Sequence, residues 1–213
     1  MISTSAHHQI IKSSHHQIIT SSHQFMNHPL HQFRFCPKCG SSQFSENNEK
    51  SKKCPDCGFV FYFNSSAAVV AVIENAKGEM LVARRAKDPA KGTLDLPGGF
   101  IDLHETAEDA VQREIGEETT LHVVSSEYLF SIPNIYVYSG FEVHTVDLFF
   151  RCIVDDFHGL QPHDDVSELQ FIPPDKLSPE DFGLTSIRLG VEKLLREYKQ
   201  TKRPHRKSIT EES

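Results

Sequence analysis

The sequence predicts an α+β fold, a mixed sheet packed between helices, with a small cysteine-bearing module ahead of it. Three observations predict it. Strand-like and helix-like apolar patterns follow one another from Ala67 onward. Four of the five cysteines stand before that point, in two matching turns. A length of 213 residues leaves room for one ordinary domain and a small accessory module.

Composition narrows the class. Hydrophobic residues make up 38% and charged residues 24%, which suits a globular chain in water. No apolar run approaches the roughly 20 residues of a membrane helix, and the start lacks the basic and apolar stretches of a secretory signal. A cytoplasmic protein is expected, with no membrane partner. Residues 1–33 hold seven of the 13 histidines and no acid, and the octads HHQIIKSS and HHQIITSS at 7–22 are near-duplicates. Two octads are too few for a stacked repeat domain. A disordered His-rich tail is expected, a metal-trapping tract being the alternative. Residues 201–213 read as a second disordered tail.

From Ala67 the elements follow in order. Ala67 to Ile73 and Met80 to Ala83 flank the turn formers Asn75 and Gly78, which predicts a hairpin. A loop through Lys87 to Gly92 leads to a short strand, Thr93 to Leu96, before Pro97, Gly98 and Gly99 break the chain. Thr106 opens a helix with Asp109 three residues on, as in a capping box. Strands are predicted at 121–124, 128–131, 136–139, 143–154 and 168–172. Ile187, Val191, Leu194, Leu195 and Tyr198 recur at helical spacing, so an amphipathic helix closes a domain spanning 67–200.

The module at 34–63 carries Cys36-Pro-Lys-Cys39-Gly and Cys54-Pro-Asp-Cys57-Gly, 14 residues apart. Each turn aims two thiolates at one point, and four sulfurs suit tetrahedral zinc. Cys36, Cys39, Cys54 and Cys57 are therefore read as a structural zinc site in a small ribbon, with iron or redox chemistry as the alternatives. Four protein ligands leave the ion no open position for catalysis. Phe35, Phe44, Phe59, Phe61, Tyr62 and Phe63 are expected to form the ribbon's core. Five bases against three acids give a net +2 there, too weak a footprint to favour nucleic acid. Cys152, alone in a predicted strand, reads as a buried apolar residue.

The net charge of -7 is concentrated. Between Asp95 and Thr120 stand eight acids and one base, Arg113. On a helix from Thr106, Glu114, Glu117 and Glu118 fall within one arc, because positions three and four apart are neighbours. Clustered carboxylates repel unless a cation joins them, and hard oxygen ligands suit Mg2+ or Mn2+.

Gly99 to Leu121 reads GFIDLHETAEDAVQREIGEETTL. This resembles the Nudix box: Gly, five residues, Glu, seven residues, then Arg-Glu-aliphatic-any-Glu-Glu-any-Gly-aliphatic. Gly99, Glu105, Arg113, Glu114, Ile115, Glu117, Glu118 and Leu121 match. Thr120 replaces the final Gly, where a β-branched residue in a left-handed conformation costs on the order of 1–2 kcal/mol. An altered helix exit is expected there. The resemblance implies a Nudix-type α/β/α sandwich. It implies that Glu114, Glu117, Glu118 and the Gly99 carbonyl hold catalytic Mg2+ or Mn2+, and that Glu105 and Arg113 form a structural ion pair. It also implies a pyrophosphohydrolase, in which the cation neutralises a diphosphate and orients the attacking water. The candidates for general base are Glu118 and the later acids Asp164, Asp165 and Glu168. A homodimer is a further expectation from the resemblance.

A zinc ribbon before such a domain is similar to the arrangement in NADH pyrophosphatases, which carry SQPWPFPxS after the box. This chain has Ser131-Ile-Pro133-Asn-Ile-Tyr136-Val-Tyr-Ser139 there, and it contains no tryptophan at all. The recognition element reads as eroded or repurposed. Tyr136 is a candidate for stacking a base and Arg84, with Arg85, for meeting phosphates. The expected substrate is a nucleoside diphosphate derivative of the NADH, ADP-sugar or nucleoside triphosphate type. The alternative is a non-catalytic nucleotide sensor whose ribbon contacts a partner or nucleic acid.

Overall fold

The computed structural model of the protein describes residues 28–201. The octads at 7–22, the rest of the chain to 27, and residues 202–213 lie outside the described residues. The chain divides into two units, Met1–Phe63 and Asn64–Ser213.

The first unit is a ribbon of three antiparallel strands, β1 (Ser45–Asn48), β2 (Ser51–Lys53) and β3 (Val60–Tyr62), in the order β1-β2-β3. It begins before residue 34. Leu30 is fully buried, the His28 ring contacts the Asn48 carbonyl, and Lys52 Nζ donates to the Phe33 carbonyl at 2.8 Å. The tail expected over 1–33 therefore stops short of 28–33, because one buried leucine anchors that segment. Phe44 is buried with Cys36 and Cys54, and Phe59 and Phe61 pack against them. Phe35 and Tyr62, expected in this core, are exposed instead. Three short strands have too little inner surface for six large rings.

The second unit is an α/β/α sandwich. Its strands are β4 (Ser66–Ile73), β5 (Met80–Arg85), β6 (Leu94–Asp95), β7 (Val123–Tyr138), β8 (Phe141–Val154) and β9 (Val166–Ile172). Its helices are α1 (Ala107–Thr119) and α2 (Thr185–Thr201). One sheet runs β4-β8-β7, with β4 parallel to β8, and the other runs β6-β5-β9, all antiparallel. Strand alternation sorts the core into two layers. Val69, Ala71 and Ile73 of β4 pack with Ala110, Val111 and Ile115 of α1. Val70 and Val72 face the opposite side, with Ile187, Val191, Leu194 and Leu195 of α2. A strand buried on both faces loses the alternation that marks a half-exposed hairpin.

That is why the predicted hairpin fails. β4 pairs with β8 and β5 pairs with β6 and β9, and a single bridge, Glu74 to Met80, joins the two at their turn. The Asn75–Gly78 turn carries the chain from one sheet to the other. The three strands predicted over 121–139 are instead one, β7. Pro133 does not interrupt it, since β7 is an edge strand and needs no donor on its outer side. Ser139 and Gly140, both at positive φ, close a tight two-residue turn into β8. Cys152 is buried, and burial pushes its thiol up to about 12. No helix among the described residues is long and apolar enough to cross a membrane.

Candidate active site

The breaking sequence Pro97-Gly98-Gly99 lies along the free edge of β4. Ala71 N–H donates to the Pro97 carbonyl at 2.7 Å and Val69 N–H to the Gly99 carbonyl at 2.8 Å. A Cβ on Gly98 would stand 2.1 Å from the Val69 carbonyl oxygen, and one on Gly99 2.5 Å from Glu114 Oε1. At Gly98 only a glycine allows this approach, and at Gly99 a side chain would displace the Glu114 carboxylate; the turn is thus pressed against the acidic face of α1.

α1 starts as expected: Thr106 caps it, its side chain accepting from Asp109 N–H at 3.1 Å. It ends on Thr120 in the left-handed conformation, φ 63°, with the cap N–H donating to the Gly116 carbonyl. The exit is therefore not altered. The Thr120 hydroxyl reaches the Thr119 and Gly159 carbonyls at 2.6 and 2.5 Å, which offsets strain a glycine would not have.

Arg113 organises the exposed side. It meets Glu105 twice, Nε to Oε1 and Nη2 to Oε2, both at 2.8 Å, and Nη2 also donates to the Phe100 carbonyl at 3.0 Å. Its Nη1 reaches Glu114 at 2.8 Å and Glu117 at 3.1 Å. Glu105 is drawn down to about 2, first by the Arg113 hydrogen bonds and then by the Asp102 N–H.

Glu118 turns inward. It is 7% exposed, and its Oε2 accepts from Gly98 N–H at 2.9 Å. Burial pushes its carboxyl up to about 8 against that hydrogen bond, and the charges of Asp95, Glu114 and Asp165 add to the effect. Burial also raises Glu114, against the pull of Arg113. Glu117 stays exposed. Among the described residues, the four cysteines form the one set of three or more His, Cys, Asp or Glu whose ligand atoms all lie within 4.8 Å. The glutamates are spread wider than that, as Arg113 takes two and Gly98 the third. Their chemistry nonetheless fits a hard cation: oxygen donors on one helix face, a buried carboxylate resisting ionisation, and glycines that open the approach.

Behind Glu118 lies a cavity of about 160 Å3. Gly99, Glu118 and Tyr136 line it, as do Arg85, Asp95, Asn134, Thr145, Asp147 and Asp165. Arg84 and Glu168 do not: they pair with each other across β5 and β9 at 2.8 Å on the surface. Adjacent strand residues face opposite ways, so Arg85 enters where Arg84 cannot. Arg85 Nη1 donates to Asp95 Oδ2 at 2.5 Å, and Asp95 Oδ1 accepts from Leu96 N–H at 2.8 Å. Asp147 accepts from Thr145 Oγ1 at 2.5 Å and from the Ser186 hydroxyl. Asp164 and Asp165 both pair with Lys87. Asp95 and Asp147 belong to the site although no motif marks them. Their signal was a lone acid within an apolar strand, Leu-Asp-Leu and Val-Asp-Leu-Phe-Phe.

In the ribbon, Gly40 and Gly58 take positive φ and donate back to the Cys36 and Cys54 carbonyls at 2.8 and 2.9 Å, so the two turns are equivalent. Cys36 and Cys57 sulfurs are 3.7 Å apart and Cys39 and Cys54 3.6 Å. Tetrahedral ligands about 2.3 Å from zinc lie about 3.8 Å from one another, so the spacing fits.

The family model described as NUDIX domain matches residues 64–191, more than half of the chain. The chain belongs to the Nudix family. Solved Nudix structures share its fold: the hydrolase from Nitrosomonas europaea aligns with TM-score 0.60 at 22% identity, covering 78% of this chain and 93% of that one. The Nudix domain of Shewanella oneidensis NrtR, complexed with ADP ribose, aligns with TM-score 0.51 at 22% identity, covering 68% and 92%. Among curated relatives, the NAD-capped RNA hydrolase NudC of Vibrio parahaemolyticus is 32% identical over 100 residues, 47% of this chain and 38% of that protein. The Deinococcus radiodurans NudC is 32% identical over 103 residues, 47% and 36% of the two chains. The alignments thus span under two fifths of these relatives' length. The Gly99–Leu121 segment falls within the matched range.

Proposed function

We propose that this Nudix chain is a Mg2+- or Mn2+-dependent hydrolase that cleaves the pyrophosphate linkage of a nucleoside diphosphate derivative, with NAD-type substrates favoured by the NudC relatives. One observation carries the reading. A buried carboxylate, Glu118, stands at a ring-sized cavity with Glu114 and the Gly98–Gly99 turn beside it, where acids crowd and, among the described residues, no lysine or arginine forms an ion pair with Glu118.

Glu114, Glu117, Glu118 and the Gly99 carbonyl would hold the cation, which supplies charge neutralisation at the diphosphate and an activated water. Arg113 holds Glu114 and Glu117 in place. Glu118 would give up its proton on holding the cation. Tyr136 offers an aromatic face to the nucleotide. Among the late acids, Asp165 is better placed than Glu168 to take a proton, since it lines the cavity. The cysteine cluster would hold one structural zinc, closed to substrate by its four ligands.

Assays with Mg2+ across NADH, ADP-ribose, dinucleoside polyphosphates and nucleoside triphosphates test this. Cleavage of at least one at the anhydride is expected. Tight binding without turnover would instead assign the chain to nucleotide sensing.

A further inference from the structure

Asn134 stands on β7, opposite Thr145 of β8 and two residues before Tyr136, so the two side chains share one face of the strand. It occupies the place of the tryptophan in the NADH-pyrophosphatase motif. It is 5% exposed and lines the cavity, and its Oδ1 has no hydrogen-bond donor from the protein. A carbonyl shut away from water without a donor is disfavoured and calls for a partner.

The neighbouring groups do not supply one. The Thr145 and Ser186 hydroxyls go to Asp147, and the Arg85 guanidinium goes to Asp95 and the Pro89 carbonyl. No donor on the described residues reaches Oδ1, the Tyr136 hydroxyl of the same wall included. Asn134 lines the cavity, and the χ2 torsion that orients its amide is soft. Leu184 and Ile187 give the cavity apolar walls, which with Tyr136 suit a planar ring.

We propose that Asn134 accepts from an exocyclic amino or carboxamide N–H on the ring of the nucleotide, so that the cavity selects amino- or carboxamide-bearing rings over oxo- or carboxylate-bearing ones. The proposal rests on the hydrolase reading above insofar as it takes this cavity for the substrate site. The carboxyl groups of Asp95 and Asp147 line the same cavity and add oxygen acceptors for such a donor.

The test compares NAD with nicotinamide hypoxanthine dinucleotide, which exchanges the adenine amino group for an oxo group. A third substrate, nicotinic acid adenine dinucleotide, exchanges the carboxamide for a carboxylate. kcat/KM is measured with Mg2+, and Kd by calorimetry on EDTA-treated full-length protein. A loss on the order of 10-fold or more is expected for one analogue, and the analogue that suffers identifies the ring held at Asn134. Asn134→Leu, or Asn134→Ala if the larger side chain prevents folding, should bring that analogue to within about threefold of NAD. Equal handling of all three by the unaltered protein, or discrimination that survives in a folded Asn134 variant, overturns the proposal. Selective binding without hydrolysis defeats the hydrolase reading and leaves the role of Asn134 standing. Failure to bind or cleave any of the three overturns the proposal for Asn134, and the hydrolase reading falls with it only if ADP-ribose, dinucleoside polyphosphates and nucleoside triphosphates are also left intact.

Discussion

Arg113 and Glu105 meet through two parallel hydrogen bonds of 2.8 Å, and the same guanidinium reaches the Phe100 carbonyl, Glu114 and Glu117. One side chain thus ties the loop after Gly99 to the acidic face of α1. Arg113→Ala should cost about 1.5–3 kcal/mol in urea unfolding, and Arg113→Lys should recover little, because an ammonium cannot reproduce the fork. Glu105 is held near 2 in the folded protein against 4.5 for the free side chain. Its contribution is therefore complete above about pH 4.5 and disappears as pH falls through about 2. Acid titration of Glu105→Gln should show a lower Tm at neutral pH and a shallower acid limb; parallel profiles would deny the pair a stabilising role.

Glu118 predicts the opposite sign. Without a divalent cation its carboxyl keeps a proton to about 8 in the folded state, whereas the unfolded one ionises near 4.5. The folded state holds the extra proton between these values, so stability falls as pH rises through that window. Tm of EDTA-treated protein should decline from about pH 5 to about pH 8, and Mg2+ should flatten that slope while releasing protons near pH 6.5. Identical profiles with and without Mg2+ would remove Glu118 from the cation's surroundings.

Gly98 and Gly99 should respond differently to alanine. At Gly98, φ is 148° and a Cβ would strike the Val69 backbone, so Gly98→Ala should lower the folded yield sharply. At Gly99 the obstacle is the movable carboxylate of Glu114. Gly99→Ala should fold with a small loss of Tm and bind Mg2+ at least tenfold more weakly, as read by calorimetry. Equal Mg2+ affinity would separate Glu114 from the cation.

Glu117 is exposed and contributes little to packing. Glu117→Gln should leave Tm within about a degree and reduce kcat by two or more orders of magnitude. Retained turnover would exclude it from the catalytic set.

For the ribbon, elemental analysis should find about one zinc per chain, and Cys54→Ser should unfold this unit, since a buried thiolate ligand is lost. Iron, or no metal in folded protein, would replace the zinc assignment.

Local rules were legible in advance. The cap at Thr106, the two cysteine turns and the Glu105–Arg113 pair all depend on residues near in sequence or on fixed spacing, and each is where the pattern put it; the exit at Thr120 is not, since the left-handed conformation persists there without the glycine. The β4–β5 hairpin was misread because both strands are buried on two faces, which erases the period-two signal. Arg84 and Glu168 were chosen as plausible charged residues, but strand direction pairs them with each other and admits Arg85 and Asp165.

The sequence by itself determined the family and the helix that carries the acidic face, because those rest on residue type at fixed offsets. Tertiary structure alone decided which charges are buried and which acceptor lacks a donor. Asp95 from β6, Asn134 from β7, Asp147 from β8 and Glu118 from α1 meet in one cavity although they are far apart in the chain. Exclusion of water at that meeting point, and not any local pattern, raises Glu118 and leaves the Asn134 carbonyl without a partner.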